Sequence, residues 1–375
     1  MRTRDIAATA LMFYALALLP LVAFGQTASG TADKGEVPRT ADGRPDIQGV
    51  WDFGSVTPLQ RPTELADREF LSEEDVSALE AQAAARVDRP PRQGDPGSYN
   101  RFWFADGTKV VATRRTSLIV DPPNGRLPSF AAEGEARMAA RAAARERNAG
   151  PEDRDVDERC ILGFNSGPPM IPGAYNNFVQ LFQVPGYVAI FNEMVHDVRL
   201  VPLDDRPPLP SQIDLWSGSS RGHWENDTLV VETTNFKDLG TAHPAPNMEL
   251  LEALGPNLHL IERFSRIDAN TLLYQFTIDD STAWTEPWSA EMTMTRSDQA
   301  LYEYACHEGN YGLFNILAGA QVEAQRSLWH TACTRRERTN TWRLLLPPHE
   351  PHKQLSREKR SLTVMRKQSL VKILL

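Results

Sequence analysis

The sequence predicts a mainly β protein, an antiparallel meander that forms a barrel or a sandwich with a few peripheral helices. Apolar segments of strand length follow one another and are bounded by Pro or Gly, and several of them alternate apolar with polar residues. Short polar linkers such as Asp268-Ala269-Asn270 are typical of antiparallel hairpins. Strands do not alternate with helices in the βαβ spacing, which argues against a parallel α/β sheet.

Residues 1–25 have the pattern of a secretory signal peptide. Arg2 and Arg4 precede an apolar run over residues 6–24, and Ala23 and Gly25 supply small residues at the predicted cleavage site. Cleavage there predicts a periplasmic or secreted protein with no integral membrane domain. A retained membrane anchor is the alternative, because the apolar run is just long enough to span a bilayer.

The mature chain is expected to contain a flexible lead-in over residues 26–45 and one β-rich domain over residues 46–326. Two alanine-rich helices are predicted within this domain, near residues 72–86 and 131–148. Ser72 and Asp75 match a capping box at the start of the first helix. Both helices are polar outside their alanines, so we expect them to lie on the surface.

Eight strand segments account for most of the predicted domain. They cover residues 109–120, 177–184, 187–201, 223–234, 258–267, 271–279, 286–295 and 301–306. Asn226 and Asp227 indicate a turn inside the fourth segment, and residues 296–298 indicate a hairpin between the last two. Alternation such as Leu272, Tyr274 and Phe276 predicts strands with one face on a core.

The charge distribution favours a small molecule over a polyanion as the partner. Residues 1–326 have 29 Lys and Arg against 46 Asp and Glu, which argues against nucleic acid and anionic membranes. Residues 327–375 reverse the balance, with 11 basic against three acidic residues. One interpretation of this tail is a nucleic-acid or membrane arm. Its irregular composition favours a disordered extension or a frame-shifted end, so it carries no functional argument.

Six short motifs are distributed over residues 39–320. They are RTADGRPD at 39–46, ERC at 158–160, PGAYNN at 172–177, EMVHD at 193–197, WENDTLVVETTNF at 224–236 and CHEGNY at 306–311. Together they resemble a family of exported, uncharacterised bacterial proteins. The resemblance implies a domain boundary and no activity, and the ending from Ser327 onward does not match it.

Gly49, Val50 and Trp51 precede the predicted meander and also resemble the Gly-x-Trp of lipocalin-like barrels. That resemblance implies a tryptophan that closes one end of a barrel. A tryptophan that packs in an ordinary core is the alternative.

Cys160 and Cys306 are the natural disulfide pair of an exported protein, because both lie in the acidic domain and Cys333 lies in the tail. Such a bridge would restrict the unfolded chain over a long loop. A reactive thiol at Cys306 is the alternative.

The strand predicted over residues 187–201 contains the most informative candidate residue. With a period of two, Asn192, His196 and Leu200 share a mainly apolar inner face, whereas Asp197 and Arg199 fall on the solvent face. A buried imidazole there is suited to proton transfer near neutral pH. A structural histidine is the alternative, and a bulge in this segment would change the faces.

Glu308 is predicted to act as acid or base beside His196, because an inward Tyr304 and Cys306 would place Glu308 inward as well. Helix capping or support of the disulfide is the alternative for Glu308 and His307. His196, His307 and Glu308 are also three candidate metal ligands. Their spacing matches no compact metal motif, so no metal and no cofactor is predicted.

The predicted ligand-binding residues form two sets, one polar and one aromatic. Asn192, Asn176 and Tyr175 would present polar groups, together with His307, and Trp288 and Tyr304 would form part of an aromatic wall. Loop asparagines more often satisfy the backbone, and large aromatic residues are more often plain core.

Two functional hypotheses remain after the sequence signatures of common enzyme classes are found missing. The first is a cofactor-independent lyase, isomerase or hydrolase that uses His196 and Glu308 on a small, partly apolar substrate. The alternative is a non-catalytic periplasmic or secreted protein that binds a small ligand in the same barrel.

Overall fold

The computed structural model describes residues 37–87, 107–237 and 252–339, and the predicted signal peptide lies outside them. The described chain is mainly β, which confirms the predicted fold class. Its ten strands are β1 Gly49–Asp52, β2 Ile119–Asp121, β3 Phe178–Val184, β4 Tyr187–Asn192, β5 Val198–Pro202, β6 Ser219–Glu225, β7 Thr228–Thr234, β8 His259–Arg266, β9 Thr271–Asp279 and β10 Trp288–Ser297. The α-helices are α1 Glu73–Val87, α2 Ala132–Arg147 and α3 Tyr311–Thr339.

All ten strands belong to one antiparallel sheet. The strand order is β5-β4-β3-β1-β10-β9-β8-β7-β6, and β2 pairs with β10. The two end strands, β5 and β6, are not joined by backbone pairing in this order, so the sheet is not closed into a barrel. Arg199 on β5 nevertheless donates to the Ser220 hydroxyl on β6 at 3.4 Å, so the curled sheet brings its end strands into side-chain contact.

The hairpin predicted at residues 268–270 and the turn predicted at residues 226–227 are confirmed. β8 and β9 are joined across residues 267–270, where the Ile267 amide donates to the Thr271 carbonyl at 2.9 Å. β6 and β7 are joined at Asn226, whose φ of 52° is the left-handed conformation that asparagine tolerates well in turns.

Alternation along β7 to β10 gives the curled sheet an apolar inner face. Its buried side chains include Leu229, Val231, Leu260, Phe264, Leu272, Tyr274, Phe276, Trp288, Met292 and Met294. Trp51 is fully buried, and its indole N–H donates to the Ile47 carbonyl at 2.9 Å. The core alternative is therefore correct for Trp51.

Three strand predictions need correction. In the segment 109–120 only Ile119 and Val120 belong to a strand, β2, with an isolated bridge at Arg115, and residues 301–306 form no strand. β10 continues to Ser297, so residues 296–298 are not a hairpin turn. The predicted strand over 187–201 is two strands separated by a five-residue turn. The segments 109–120 and 301–306 show that a strand-like composition alone does not make a continuous strand.

The predicted helices near 72–86 and 131–148 are α1 and α2, each displaced by no more than one residue at either end. At the start of α1 the Asp75 amide donates to the Ser72 hydroxyl at 3.1 Å, and the Ser72 amide donates to the Asp75 carboxylate at 3.0 Å. These reciprocal bonds are the predicted capping box.

The chain divides into two compact units, residues 1–317 and 318–375. The sheet, α1 and α2 all belong to the first unit. The predicted boundary at residue 327 falls inside α3, which continues to Thr339. Of the helices in the described ranges, none combines the length and the apolar character needed to cross a membrane.

Candidate functional site

Residues 193–197 form a turn between β4 and β5. Met194–His196 is a short 3-10 helix, and Val195 and His196 have φ angles of 60° and 46°. Such left-handed angles are uncommon for a β-branched valine and cannot continue a strand. The turn ends β4 at Asn192 and begins β5 at Val198.

Because of this turn, the side chains that follow it on β5 lie on the opposite face of the sheet from the one predicted. Arg199 is buried and pairs in register with Ile190 on the inner face, whereas Val198 and Leu200 are exposed. The assignment of Arg199 to solvent and of Leu200 to the core was therefore wrong. One inserted turn is sufficient, because a shift of one residue reverses every side chain of a strand.

His196 lies on the outer side of the turn, where it is exposed and its Nδ1 is 3.2 Å from the Tyr304 carbonyl oxygen. Glu308 and His307 are exposed in a separate turn. Within the described ranges no hydrogen bond or ion pair joins His196 to Glu308. The expectation that both side chains face one interior is wrong, and their catalytic roles stay a prediction that no contact supports.

Cys160 and Cys306 form the predicted disulfide, with their Cα atoms 5.6 Å apart. The bridge fastens residues 298–310, here called the strap, to the loop that contains Cys160. The Asn310 side chain adds a second link, because it donates to the Glu158 carbonyl at 2.9 Å. The strap is therefore attached at its end by a covalent bond and a hydrogen bond.

The strap also contacts the β4–β5 turn from outside. The Tyr302 amide donates to the buried Glu193 carboxylate at 3.2 Å, and the Tyr304 carbonyl faces His196. Glu193 in turn raises the pKa of Asp52, although burial is the larger cause of that increase. His196 and Tyr304, both predicted as site residues, thus lie where the strap meets the turn.

A charged cluster interrupts the apolar inner face. Arg199 donates to both oxygens of Glu262, at 2.6 and 2.8 Å, and both side chains are almost fully buried. The Tyr274 hydroxyl donates to Glu262 at 2.7 Å and accepts the Met170 amide at 3.1 Å. We call Arg199, Glu262 and Tyr274 the inner triad. Its bidentate, charge-assisted bonds fix the guanidinium in one orientation.

The pKa shifts of Arg199 and Tyr274 keep the first side chain charged and the second neutral. Burial lowers the pKa of Arg199, but the attraction of Glu262 outweighs it, so the pKa lies above its ordinary value. Burial and the neighbouring Glu262 carboxylate raise the pKa of Tyr274 well above 10. Tyr274 is therefore a neutral donor over the whole physiological range.

Asn192 is buried at the end of β4, beside the inner triad. Its side chain is 1% exposed, and neither its Oδ1 nor its Nδ2 has a hydrogen-bond partner among the described residues. Its backbone amide donates to the Asp197 carbonyl at 2.9 Å, which places the two residues opposite each other. Because Asn192 shares a strand face with Val188 and Ile190, its amide lies on the inner side of the sheet.

Asp197 and Arg199 each contribute one further buried polar atom to this region. The Asp197 Oδ2 and the Arg199 Nε are buried and have no partner in the described part of the chain. Burial raises the pKa of Asp197, and the nearby Arg199 charge only partly opposes the increase. Asn192, Asp197 and Arg199 are here called the inner polar site.

Residues 163–177 cross the same end of the sheet. A Cβ on Gly163 would lie only 2.0 Å from the Met194 Cγ, so this segment is in close contact with the β4–β5 turn. Asn165 donates to the Tyr175 carbonyl at 2.9 Å and to the Asn177 side chain at 3.0 Å. The segment is therefore held by its own amide network.

Two predicted binding residues, Tyr175 and Asn176, belong to this network. The Tyr175 ring packs edge-on against Phe164 at 5.1 Å, and Asn176 has a φ of 54° and offers its carbonyl to Asn165. Their observed contacts maintain the loop, in agreement with the alternative given for loop asparagines.

Trp288 does not belong to an exposed aromatic wall. It is 1% exposed and packs edge-on against Trp284 and Phe276, with 5.6 Å between ring centroids in both pairs. Tyr302 points to solvent at 75% exposure, and Tyr304 is half-buried. Of the two residues predicted for the wall, Trp288 therefore lies in the core and Tyr304 lies half-buried in the strap.

Sequence reasoning missed Arg199, Glu262 and Asp197. A signal was present for Glu262, because it stands between Leu260 and Phe264 on the inner face of an alternating strand. A carboxylate at such a position needs a buried cation. No comparable signal existed for Arg199 and Asp197, whose orientation depends on the turn.

Among the described residues, no group of three or more His, Cys, Asp or Glu side chains has the arrangement of a metal site. Comparison of the chain with models of known families, with curated proteins and with solved structures finds no match. The family resemblance of the sequence motifs stays a prediction, and function is argued from the site.

Proposed function

We propose that this chain is an exported protein that binds a small, partly apolar ligand through the inner polar site. The observation that carries the proposal is the Asn192 amide, which is buried with both polar atoms unpaired in the described chain. A buried polar group without a partner costs about 1–3 kcal/mol. A ligand that pairs with it recovers that free energy on binding.

The site offers complementary hydrogen-bonding groups within one small region. Asn192 provides one donor and one acceptor, Asp197 provides an acceptor, and Arg199 Nε provides a donor. Glu262 already holds the Arg199 guanidinium in place, so ordering that side chain adds little to the cost of binding. A ligand with both a donor and an acceptor on its polar end fits this arrangement.

Apolar residues surround these groups. Ile190, Val179 and Val201 are buried on the same face as Asn192 and Arg199. Sites of this kind combine a mainly apolar lining with a few convergent polar atoms. The ligand is therefore expected to carry an apolar portion next to its polar end.

A proton-transfer enzyme at the same site is the second candidate. Burial raises the pKa of Asp197, which is the direction expected for a carboxylate that exchanges protons nearer to neutral pH. In that case the predicted lyase, isomerase or hydrolase would use Asp197 in place of His196 and Glu308. Simple binding requires fewer assumptions and is the proposal we favour.

Export is supported by two independent features. The disulfide between Cys160 and Cys306 suits an oxidising compartment, and the first 25 residues have the pattern of a signal peptide. The ligand is therefore expected to come from the periplasm or the medium.

Native mass spectrometry of the full-length chain, purified without detergent, tests the proposal. We expect a population with the added mass of a small molecule that dissociates on activation. Asn192→Leu should lose this population, because leucine has a similar size and no hydrogen-bonding group. His196→Gln is the matched control on the outer side of the turn and should retain it.

The stability of Asn192→Leu gives a second, ligand-independent measurement. In denaturant titration of unliganded protein we expect a gain of up to about 1–3 kcal/mol, since the change removes an unpaired buried amide. A loss of stability would show that Asn192 is paired within the fold. Adducts that are equal in both variants, or absent from the unaltered protein, would contradict ligand binding at this site.

A further inference from the structure

Arg159 and Lys237 share a single aromatic ring. The guanidinium carbon of Arg159 lies 5.7 Å from the centroid of the Trp216 ring, and the Lys237 ammonium lies 4.5 Å from it. We call these three residues the Trp216 cation cluster. Each contact is within the range of a cation–π interaction, and together they bring two positive charges to one indole.

Neither cation has an acidic partner within the described part of the chain. Two other cations that lie over aromatic rings differ in this respect. Arg115 lies over Phe70 and is paired with Glu69 and Glu291. Arg206 lies over Tyr187 and is paired with Asp204. Within the described ranges, no ion pair therefore neutralises the two charges of the Trp216 cluster.

Backbone hydrogen bonds fix the chain at Arg159, at Lys237 and beside Trp216. The Arg159 amide donates to the Asp155 carbonyl at 3.1 Å, one residue before the disulfide at Cys160. On the other side, the Lys237 amide donates to the carbonyl of Leu215, the neighbour of Trp216, at 2.8 Å. Arg159 and Trp216 are also half-buried. The backbone positions of Arg159 and Lys237 are thus fixed by the fold.

We propose that the Trp216 cation cluster binds a small oxyanion, carried by a carboxylate or a phosphate group. An anion that contacts both cations would gain an attraction to each of them. The planar guanidinium of Arg159 matches two oxygens of such a group, and the ammonium of Lys237 supplies a point charge. This site differs from the inner polar site and does not require that site to bind a ligand.

Isothermal titration calorimetry of the full-length protein at low ionic strength tests the assignment. The probes are sodium benzoate, its neutral isostere benzamide, and inorganic phosphate. We expect benzoate or phosphate to bind and benzamide not to bind. Affinity should fall as salt is added, because partly exposed charges are screened.

Charge-removing variants locate the site. Arg159→Gln and Lys237→Gln should each weaken anion binding by at least about tenfold, since hydrogen bonds to charged groups are worth roughly 1.5–3 kcal/mol. Arg263→Gln is the matched control, because it removes an exposed arginine that is paired with Glu225 on another part of the sheet. Circular dichroism establishes that each variant is folded.

The proposal is overturned by any of three results. Benzamide that binds as tightly as benzoate would show that charge is not recognised. An equal loss in Arg263→Gln would show a general effect of net charge. No heat from benzoate or phosphate at millimolar concentration would show that the cluster holds no anion. None of these results bears on the Asn192 measurements.

Discussion

The two sides of the β4–β5 turn differ in what their side chains contact. On the outer side, His196 is exposed, and its Nδ1 faces the Tyr304 carbonyl of the strap. On the inner side, Asn192 and Asp197 lie next to a buried ion pair and retain unpaired polar atoms. His196 directly precedes Asp197, so an exposed histidine and a desolvated polar residue are neighbours in the sequence.

This difference shows that burial decides which polar groups carry information about function. Water can satisfy any polar atom on the outer side, so a histidine there reveals little. Water is excluded on the inner side, where each unpaired donor or acceptor has a cost. His196, the residue of this motif best suited to proton transfer, therefore lies on the outer side, where its contacts reveal little about function.

Breaking the inner ion pair should give the largest effect on stability. Glu262→Gln leaves the buried Arg199 charge without its counterion, and we expect a loss of about 3–5 kcal/mol in the free energy of unfolding. Denaturant titration measures it. The control is Glu225→Gln, which breaks an exposed pair with Arg263 and should cost much less, because water screens exposed charges. Similar small losses in both variants would show that the inner pair is not desolvated.

Removing the disulfide should give the next largest effect and should act on the outer side. A variant with Cys160→Ser and Cys306→Ser should lose about 2–5 kcal/mol, because the unfolded chain is no longer restricted. Hydrogen exchange at the Tyr302 amide should become faster as the strap is released from Glu193. Cys333→Ser is the control and should change neither quantity. If the double variant behaved like the Cys333→Ser control, the strap would not depend on the bridge.

The sequence predicted the regular parts of the fold and missed the part that forms the site. The hairpin at residues 267–270 and the helix that begins after Ser72 depend on local signals, and both were found. Glu262 was recognisable from its place in an alternating strand. The inward orientation of Arg199 was not, because it depends on left-handed angles at Val195 and His196 that residue type does not favour.

The smallest effect is a pH dependence that separates buried from exposed carboxylates. Burial raises the pKa of Asp197 above its ordinary 3.8, so the folded protein binds more protons than the unfolded chain in that interval. Stability therefore decreases as pH rises from 3.8 through the raised pKa. Asp197→Asn should remove this part of the decrease and be more stable than the unaltered protein at pH 7, as measured by unfolding at several pH values.

Asp204 provides the opposite control. Its hydrogen bonds to Arg206 lower its pKa to about 2, so its contribution to stability is present above pH 3.8 and is lost as pH falls towards 2. Asp204→Asn should therefore lose stability at pH 7. Equal signs for the two variants would contradict the burial of Asp197.

The most direct test is a crystal structure of the protein purified from its expression host. The electron density at the Asn192 amide shows whether a ligand is bound on the inner side of the β4–β5 turn. The proposed function predicts a non-protein molecule that accepts from the Asn192 Nδ2, donates to its Oδ1 and contacts Asp197. An Asn192 side chain fully paired with protein groups, or a bound molecule between His196 and Glu308, would contradict it.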